Sequence, residues 1–275
     1  MVVKMQEETI SVPLKDQEKT AKIISRFIAD KVDESQTLGV VIGLSGGLDS
    51  STTAYLSAKT LKNDQILGII MPTVTTPDED IEDAISVAEA LGIEYEIIHV
   101  DDLIEPFNDL CIHASEKQGR KEYRELANAN LKARIRMMVL YYHANDLNRL
   151  VVGTGNRTEL LVGYFTKHGD GGVDILPIAD LYKTDVRNLA SEIGVPTGII
   201  EKAPTAGLWA GQTDEKELGM KYEVLDKLLY MMVDKKMMPK DIAENLKIPL
   251  EEVLRIRGKV KKSEHKLQPA PSPGI

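Results

Sequence analysis

The fold is decided by the stretch Gly39-Val40-Val41-Ile42-Gly43-Leu44-Ser45-Gly46-Gly47-Leu48-Asp49-Ser50-Ser51. Its first part is apolar and rich in β-branched residues, which indicates a buried parallel strand. Ser45-Gly46-Gly47 predicts a tight turn, because glycine adopts backbone angles closed to other residues. A helix is predicted to open at about Ser50, and its first amide N–H groups would face the turn unpaired. This junction therefore predicts an anion site such as a phosphate-binding loop.

The loop is not of the Walker type, because no Gly-Lys-Ser/Thr ends it. Asp49 stands there instead, and a carboxylate is a poor neighbour for phosphate unless a divalent cation lies between them. The pattern Ser-Gly-Gly-x-Asp-Ser resembles the pyrophosphatase loop of N-type ATP pyrophosphatases, which cleave ATP between the α and β phosphates. The alternative is an ordinary glycine turn between a strand and a helix.

Further apolar runs predict three more strands, at residues 66–71, 95–100 and 150–154. Helical spacing predicts intervening helices at 14–32, 80–91 and 126–147. This alternation predicts an α/β fold: a doubly wound parallel sheet flanked by helices, of the adenine nucleotide α-hydrolase-like kind. From residue 183 onward the pattern is helical, with helices expected at 185–193, 222–233, 239–246 and 249–260. Ligands of such sheets bind beyond the carboxyl ends of the strands.

We expect residues 1–275 to form one domain with four parts. These are an N-terminal helical segment (1–38), the parallel-sheet core (39–200), a helical C-terminal region (201–266) and a mobile, proline-rich tail (267–275). Residues 101–124 show no signature of any family.

Composition and charge narrow the class of protein. The chain has 275 residues with a net charge of −9, which disfavours a general nucleic-acid surface. Cys111 is the single cysteine, so a reducing compartment is expected. No signal peptide and no bilayer-spanning run is recognisable. These features predict a cytoplasmic protein without a membrane partner.

A second block runs from Gly153-Thr154-Gly155-Asn156-Arg157-Thr158-Glu159 to Thr166-Lys167-His168-Gly169-Asp170-Gly171-Gly172-Val173-Asp174. Glu159 is expected near a helix start, where it could share a cation with Asp49. Lys167, Asp170 and Asp174 lie in a glycine-dense loop that a ligand would order. Taken singly, Glu159 would be a helix-cap acid and Lys167 a surface lysine.

This block resembles the ammonia-dependent NAD synthetases. The resemblance extends over about residues 39–266. Its most specific parts are Thr166-Lys167-His168-Gly169-Asp170-Gly171-Gly172 and Lys202-Ala203-Pro204-Thr205-Ala206-Gly207-Leu208. It also takes in residues 128–137, 175–177, 181–186 and 211–215, and His265-Lys266 near the end.

The resemblance implies a set of residue roles. ATP would be bound by Gly43, Leu44, Ser45, Gly46, Gly47, Leu48, Asp49, Ser50, Thr154, Lys183 and Thr205. Magnesium would be bound by Asp49 and Glu159, and deamido-NAD by Arg134, Lys167, Asp174, His265 and Lys266. Asp49, Lys183 and Asp174 would be catalytic. The run 259–266 is unusually basic, so His265 could instead belong to a solvated helix end.

The implied reaction is the ATP-dependent amidation of deamido-NAD by ammonia, with an acyl adenylate as intermediate. No glutaminase block precedes the loop, so free ammonia is the implied nitrogen donor unless a separate subunit supplies it. A homodimer is implied by the family, and the methionine-bearing helices predicted at 126–147 and 222–233 favour it. The alternatives are a GMP-synthetase-type or tRNA-thiolating enzyme, and a nucleotide sensor without turnover.

Overall fold

The computed structural model describes residues 12–13, 15–111, 121–205, 207 and 213–274. Within them a parallel sheet has the strand order β3-β2-β1-β4. The strands are β1 (Val40–Leu44), β2 (Ile66–Ile70), β3 (Glu94–Ile97) and β4 (Leu150–Val152). Val40 aligns with Ile66 on one side and with Leu150 on the other. The predicted doubly wound parallel sheet is confirmed.

The helices of the sheet region are α1 (Gln17–Ser35), α2 (Leu48–Ala58), α3 (Asp78–Leu91), α4 (Asp101–Leu110), α5 (Lys121–Asp146), α6 (Arg157–Val162), α7 (Lys183–Ile193) and α8 (Thr197–Glu201). The C-terminal region has α9 (Asp214–Leu218), α10 (Tyr222–Leu229), α11 (Pro239–Leu246) and α12 (Leu250–Ser263). A π-helical turn, Tyr230–Asp234, extends α10. Short 3₁₀ turns lie at Asn63–Gln65 and Glu264–Lys266.

The sheet separates two apolar layers, as alternation along a strand requires. Val40, Ile42 and Leu44 pack with α1, α2, α3 and α7 on one face. Val41 packs on the opposite face, with α4 and α5. A third cluster joins α6, α10, α11 and α12 and contains the fully buried Tyr222. The C-terminal helices therefore build their own core beside the sheet and carry residues to its ligand-binding edge.

Two element boundaries and one additional helix differ from the sequence prediction in an instructive way. Helix α2 begins at Leu48, with Gly47 as its N-cap in extended conformation. Strand β3 is an edge strand that ends at Ile97, three residues early, because Val100 already caps the next helix. That helix, α4, occupies part of the segment without a family signature and contains Pro106.

Some predictions lie wholly or partly outside the described residues. The start of the first predicted helix, residue 14, is one; the helix itself begins at Gln17, with Asp16 as its N-cap. Residues 267–274 form neither helix nor strand, and their mobility stays a prediction. Among the described helices, none combines the length and the apolar character needed to cross a bilayer.

Candidate active site at the carboxyl edge of the sheet

A cavity of about 510 Å³ opens beyond the carboxyl ends of β1, β2 and β4. Its lining includes residues that the sequence assigned to ATP, magnesium and the acceptor. These are Gly43, Leu44, Ser45, Gly47, Leu48, Asp49, Ser50, Thr154, Glu159, Lys183, Thr205 and Lys266. The volume falls within the range usual for small-molecule sites, and the position is the one expected for ligands of parallel sheets.

The glycine loop is held rigidly at the floor of this cavity. Gly46 has φ +72°, and a Cβ there would lie 2.1 Å from the carbonyl oxygen of Asp80, so no other residue fits. The Ser45 hydroxyl lies 3.0 Å from the Ser50 hydroxyl, which also accepts a hydrogen bond from the Ser45 N–H. The loop thus needs no ligand to adopt its shape, and α2 points its N-terminus into the cavity.

Three charged side chains converge beside the loop. The Lys183 Nζ donates to Asp49 Oδ2 and, at 3.3 Å, to Glu159 Oε1. The Lys183 side chain is 4% exposed, and both carboxylates are 16% exposed. Each residue sits in the first turn of a different helix, α2, α6 or α7. The structure brings Asp49 and Glu159 to opposite sides of the Lys183 ammonium.

Asn156 explains why Glu159 faces inward. Its side chain caps α6 by accepting from the Glu159 N–H at 3.0 Å, and the Glu159 carboxylate reaches back to the Asn156 N–H. This is a capping box, with asparagine in the capping position. The Asn156 Nδ2 also donates to Asp49 Oδ1 at 3.0 Å. One asparagine therefore fixes the helix start and links both carboxylates.

Burial sets the protonation of the cluster. It raises the pKa of Glu159 to about 8; the charges of Asp49 and Asp214 act in the same direction, and Lys183 opposes them. Burial disfavours the ammonium form of Lys183, but the carboxylates of Asp49 and Glu159 outweigh it and the pKa is raised. The site thus keeps its lysine charged and holds Glu159 poised to take or lose a proton near neutral pH.

Asp214 is a further acidic residue of the site, and the sequence analysis did not assign it a role. It is 3% exposed and lines the cavity. The Tyr222 hydroxyl donates to its Oδ2 at 3.0 Å, while its Oδ1 has no hydrogen-bond partner among the described residues. Burial raises the pKa of Asp214. It belongs to the quoted segment 211–215, which was the one available signal.

Other residues that line the cavity were also given no role by the sequence. Arg136 donates from Nε to the Met71 carbonyl oxygen at 3.2 Å, and burial lowers its pKa. Lys202 pairs with Asp80, at 2.8 Å, and with Asp83, which ties the segment before Thr205 to the start of α3. Trp209 and Gly211-Gln212 lie outside the described residues.

Two predicted acceptor residues are engaged with the backbone. Lys167 Nζ donates to the carbonyl oxygens of His265 and Gln268, at 2.8 and 3.1 Å. Lys266 Nζ donates to those of Gly163 and Phe165, both at 2.7 Å. The two lysines fasten the C-terminal turn to the loop that follows α6. His265 is exposed, as a solvated helix end would be.

Arg134, Lys167, Asp174 and His265 are not among the residues that line the described cavity. Arg134 is exposed and donates to the Lys167 carbonyl oxygen at 3.4 Å. Asp174 accepts from the Tyr141 hydroxyl at 2.9 Å and from the Val151 N–H at 2.8 Å. The structure therefore brings Asp49, Glu159 and Lys183 together but leaves Asp174 away from them.

The carboxylates do not form a metal cage by themselves. In the described part of the chain, no group of three or more His, Cys, Asp or Glu residues could hold a metal ion. Two carboxylates nevertheless suit Mg²⁺, which is commonly bound by one or two protein carboxylates together with substrate phosphates.

Known proteins match this sequence and this fold. A model of the NAD synthase family matches residues 20–270. The chain belongs to that family. An NH(3)-dependent NAD(+) synthetase of Methanocaldococcus jannaschii is 50% identical over 252 residues, which cover 92% of this chain and 95% of the relative.

Solved structures of NAD synthase relatives share the fold. One, described as the structure of NMN synthetase from Francisella tularensis, has a TM-score of 0.80 at 34% identity and covers 95% of this chain and all of its own. Another, the NH3-dependent NAD synthetase from Campylobacter jejuni in complex with the nitrate ion, has a TM-score of 0.76 at 27% identity. It covers 94% of this chain and 99% of its own.

Membership of the NAD synthase family distinguishes between the alternative functions that the sequence analysis left open. The protein is a ligase that catalyses the final step of NAD biosynthesis by ATP-dependent amidation. The tRNA-thiolating, GMP-synthetase-type and sensor alternatives are thereby set aside.

Proposed function

We propose that this protein amidates deamido-NAD with free ammonia in the cavity at the sheet edge, with ATP converted to AMP and pyrophosphate. The observation that carries the proposal is the convergence of Asp49, Glu159 and Lys183 beside a preformed phosphate loop. Relatives named NH(3)-dependent NAD(+) synthetases, similar over nine-tenths of the chain, support ammonia as the nitrogen donor.

ATP binds along the glycine loop, residues 43–50, with Thr154, Lys183 and Thr205 completing its site. All of these except Gly46 line the cavity, and Gly46 shapes the turn. The N-terminus of α2 favours negative charge, and a buried ammonium at Lys183 neutralises part of the polyphosphate. Lys183 must then exchange one of its carboxylate partners for a phosphate oxygen. Asp49 and Glu159 can lose this contact and keep their positions, because Asn156 remains bonded to both.

Asp49 and Glu159 are the proposed Mg²⁺ ligands. Their carboxylate oxygens are the hard donors that Mg²⁺ prefers, and both face the cavity. When bound, the ion supplies charge neutralisation at the leaving pyrophosphate. Because Glu159 has a raised pKa, it must lose its proton before it can serve as a ligand.

Arg134, Lys167, Asp174, His265 and Lys266 are the proposed acceptor residues. Lys266 already lines the cavity, and the loop and turn that it joins carry Lys167 and His265. Lysine and arginine suit the diphosphate of a dinucleotide. Asp174 is proposed to act in catalysis, through the acceptor, from a side chain fixed by Tyr141 and Val151.

The chemistry then takes two steps. A nicotinate carboxylate oxygen attacks the α phosphorus of ATP, and the bond to the bridging oxygen breaks to release pyrophosphate. Ammonia attacks the carbonyl carbon of the acyl adenylate, loses a proton, and AMP leaves with the former carboxylate oxygen. The cluster acts by positioning and charge neutralisation, not by covalent catalysis.

Two assignments concern the whole protein. We propose a homodimer, for which α5 offers the exposed apolar side chains of Leu126, Met138 and Tyr142. The predicted contribution of 222–233 is not supported, because Leu225, Leu228 and Met231 in that helix are fully buried. Sedimentation at micromolar concentration tests the dimer. A cytoplasmic location is also proposed.

An oxygen-isotope experiment tests the reaction. Deamido-NAD labelled with oxygen-18 in its nicotinate carboxylate is incubated with ATP, magnesium and ammonium. One labelled oxygen is expected in AMP and none in pyrophosphate. Label in inorganic phosphate accompanied by ADP would establish an acyl-phosphate route and overturn the reading of the loop.

The similarity to an NMN synthetase structure supports a second candidate, amidation of the corresponding mononucleotide. The same assay with both acceptors separates them. A kcat/KM higher for the dinucleotide supports the first proposal, and the reverse order supports the second.

A further inference from the structure

The separation of Lys183 from Glu159 depends on how two helix N-termini are held together. Glu159 lies in the first turn of α6 and Lys183 opens α7. The two residues are 24 positions apart in the chain. Their direct contact is long, at 3.3 Å. A backbone bond from the Arg157 N–H to the Leu181 carbonyl oxygen, at 2.8 Å, joins the two helix starts, and a third element adds contacts to both.

Asp226 of α10 contacts the residues next to both. Its Oδ1 accepts from the Thr158 hydroxyl at 2.6 Å, and its Oδ2 accepts from the Thr184 N–H at 2.8 Å. The Thr158 oxygen in turn accepts from the Lys183 N–H at 3.0 Å. In this chain the Lys183 N–H donates to the Thr158 oxygen, and the Thr158 hydroxyl donates to Asp226. Asp226 accepts with both side-chain oxygens, which a carboxylate can do and a carboxamide cannot.

Asp226 is 0% exposed, and no lysine or arginine of the described residues forms an ion pair with it. Burial raises its pKa, and the bonds from Thr158 and Thr184 oppose that shift. A buried carboxylate without a counter-ion is a costly way to join two helices. The hydrogen bonds that it accepts come from Thr158 and Thr184, which are adjacent in sequence to Glu159 and Lys183. A role in placing these two site residues would explain why so costly a carboxylate is buried here.

The same helix contacts this pair of N-termini at two further places. The Tyr222 ring lies 5.3 Å from Lys183 Nζ. Asp234 accepts from Arg157, at 2.6 Å, and from the Tyr182 hydroxyl, so it holds the residues that flank Thr158 and Lys183. Because an α-helix has 3.6 residues per turn, side chains spaced four residues apart point in gradually different directions along it. The wider π-turn, Tyr230–Asp234, returns Asp234 to the face of Tyr222 and Asp226.

From these contacts we propose that Asp226 is a positioning residue for the reaction: through Thr158 and Thr184 it sets the placement of Lys183 against Glu159. Asp234 supports the same alignment from the end of the helix. The inference rests on the roles proposed for Lys183 and Glu159. The isotope experiment on the unaltered enzyme tests those roles separately.

Thr158 is the sharpest place to test the bond chain. Thr158→Val keeps the shape of this buried side chain but removes the hydroxyl that joins Asp226 to Lys183. Thr158→Ser restores the hydroxyl, and Asp226→Asn breaks the chain at its acceptor end. Ser25→Ala is the matched control, because it deletes one buried hydrogen bond, to the Leu56 carbonyl oxygen in the last turn of α2, away from Asp49 in its first turn.

The readouts are kcat, the KM for ATP and the melting temperature of each variant. Thr158→Val and Asp226→Asn are expected to lower kcat about 100-fold, with a smaller change in the KM for ATP, since a small misplacement of a reacting group has that effect. Thr158→Ser should stay within about threefold of the parent in kcat. Ser25→Ala should lower the melting temperature without lowering kcat.

The proposal is overturned if Thr158→Val retains the parent kcat, or if Thr158→Ser is impaired as much as Thr158→Val. It is also overturned if Ser25→Ala, at an equal loss of melting temperature, loses as much kcat. Should Asp226→Asn fail to fold, the valine and serine variants still decide, because both retain the Asp226 carboxylate and its bond from the Thr184 N–H.

Discussion

The two halves of the proposed active site are prepared in different ways. On the proposed nucleotide side, Asp49, Glu159 and Lys183 are largely buried and lie in mutual contact. On the proposed acceptor side, Lys167 and Lys266 donate to backbone carbonyls of the C-terminal turn and the facing loop, and His265 is exposed. On both sides a ligand phosphate would compete for the lysines, with carboxylates for Lys183 and with carbonyl oxygens for Lys167 and Lys266; the difference is that the first side is buried and its charges are mutually bonded. Substitutions on the first side should therefore have the larger effects.

The largest effect is expected for Asp49→Asn. A neutral amide binds Mg²⁺ poorly beside polyphosphate and leaves Lys183 with one carboxylate fewer. We expect kcat to fall about 1,000-fold while the fold is retained. Steady-state kinetics and circular dichroism measure both. Asp180→Asn is the matched control, because that carboxylate is 99% exposed and should tolerate the change. Parental turnover by Asp49→Asn at all magnesium concentrations would remove Asp49 from the metal site.

The pH dependence of activation by magnesium should report the protonation state of Glu159. Its raised pKa, about 8, means that the protonated form prevails at lower pH and that a proton must leave before the cation binds. The apparent magnesium affinity should therefore rise about tenfold per pH unit up to that pKa. Kinetic titration with Mg²⁺ at several pH values measures the slope. In Glu159→Gln the slope should be reduced to that of ATP itself; an unchanged slope would assign the proton to another group.

Lys167→Ala should act on the acceptor side alone. Loss of one cation from the proposed dinucleotide site should raise the KM for deamido-NAD about tenfold, as for a lost charge-assisted hydrogen bond. The KM for ATP should hardly change. Lys262→Ala is the control, because this exposed lysine lies at the end of α12, next to the turn that Lys167 contacts. A raised KM for ATP with normal use of the acceptor would reverse the assignment of Lys167.

His265→Ala should have the smallest effect of the four. The side chain is exposed, so we expect only a few-fold rise in the KM for deamido-NAD, in the range of a single solvent-exposed hydrogen bond. Kinetics with the acceptor varied would measure it. If the variant matches the parent, His265 is part of the solvated helix end that the basic run 259–266 also allowed.

Features of the fold that depend only on residues close to one another in the sequence could be predicted. The strand, glycine turn and helix at residues 39–51 were predictable, because the pattern of apolar residues and the backbone angles open to glycine are both properties of a short stretch of sequence. Gly92 ends α3 with φ +63°, directly after the predicted helix 80–91. Helix α4 was missed because Pro106 and an acidic start resemble a loop when its apolar face has no visible partner.

Long-range contacts were the part that the sequence could not supply. The approach of Asp49 to Glu159 was expected, because each follows a predicted strand near a helix start, at the edge where such sheets bind ligands. That Lys183 lies between them requires the packing of α7 against α2, which no local pattern encodes. The role of Asp226 depends on bonds to residues 68 and 42 positions away, and a single aspartate in an amphipathic helix gives no sign of them.

The π-helical turn at Tyr230–Asp234 has a consequence for chain length. It extends α10 at its C-terminal end and holds about one residue more per turn than an α-helix does. Deleting one residue within it would let the turn tighten to α-helical width and keep Asp234 near the face of Tyr222 and Asp226. An inserted residue could not be absorbed in this way and would rotate Asp234 by about 100°, away from Arg157 and Tyr182. The turn therefore tolerates a shorter chain better than a longer one.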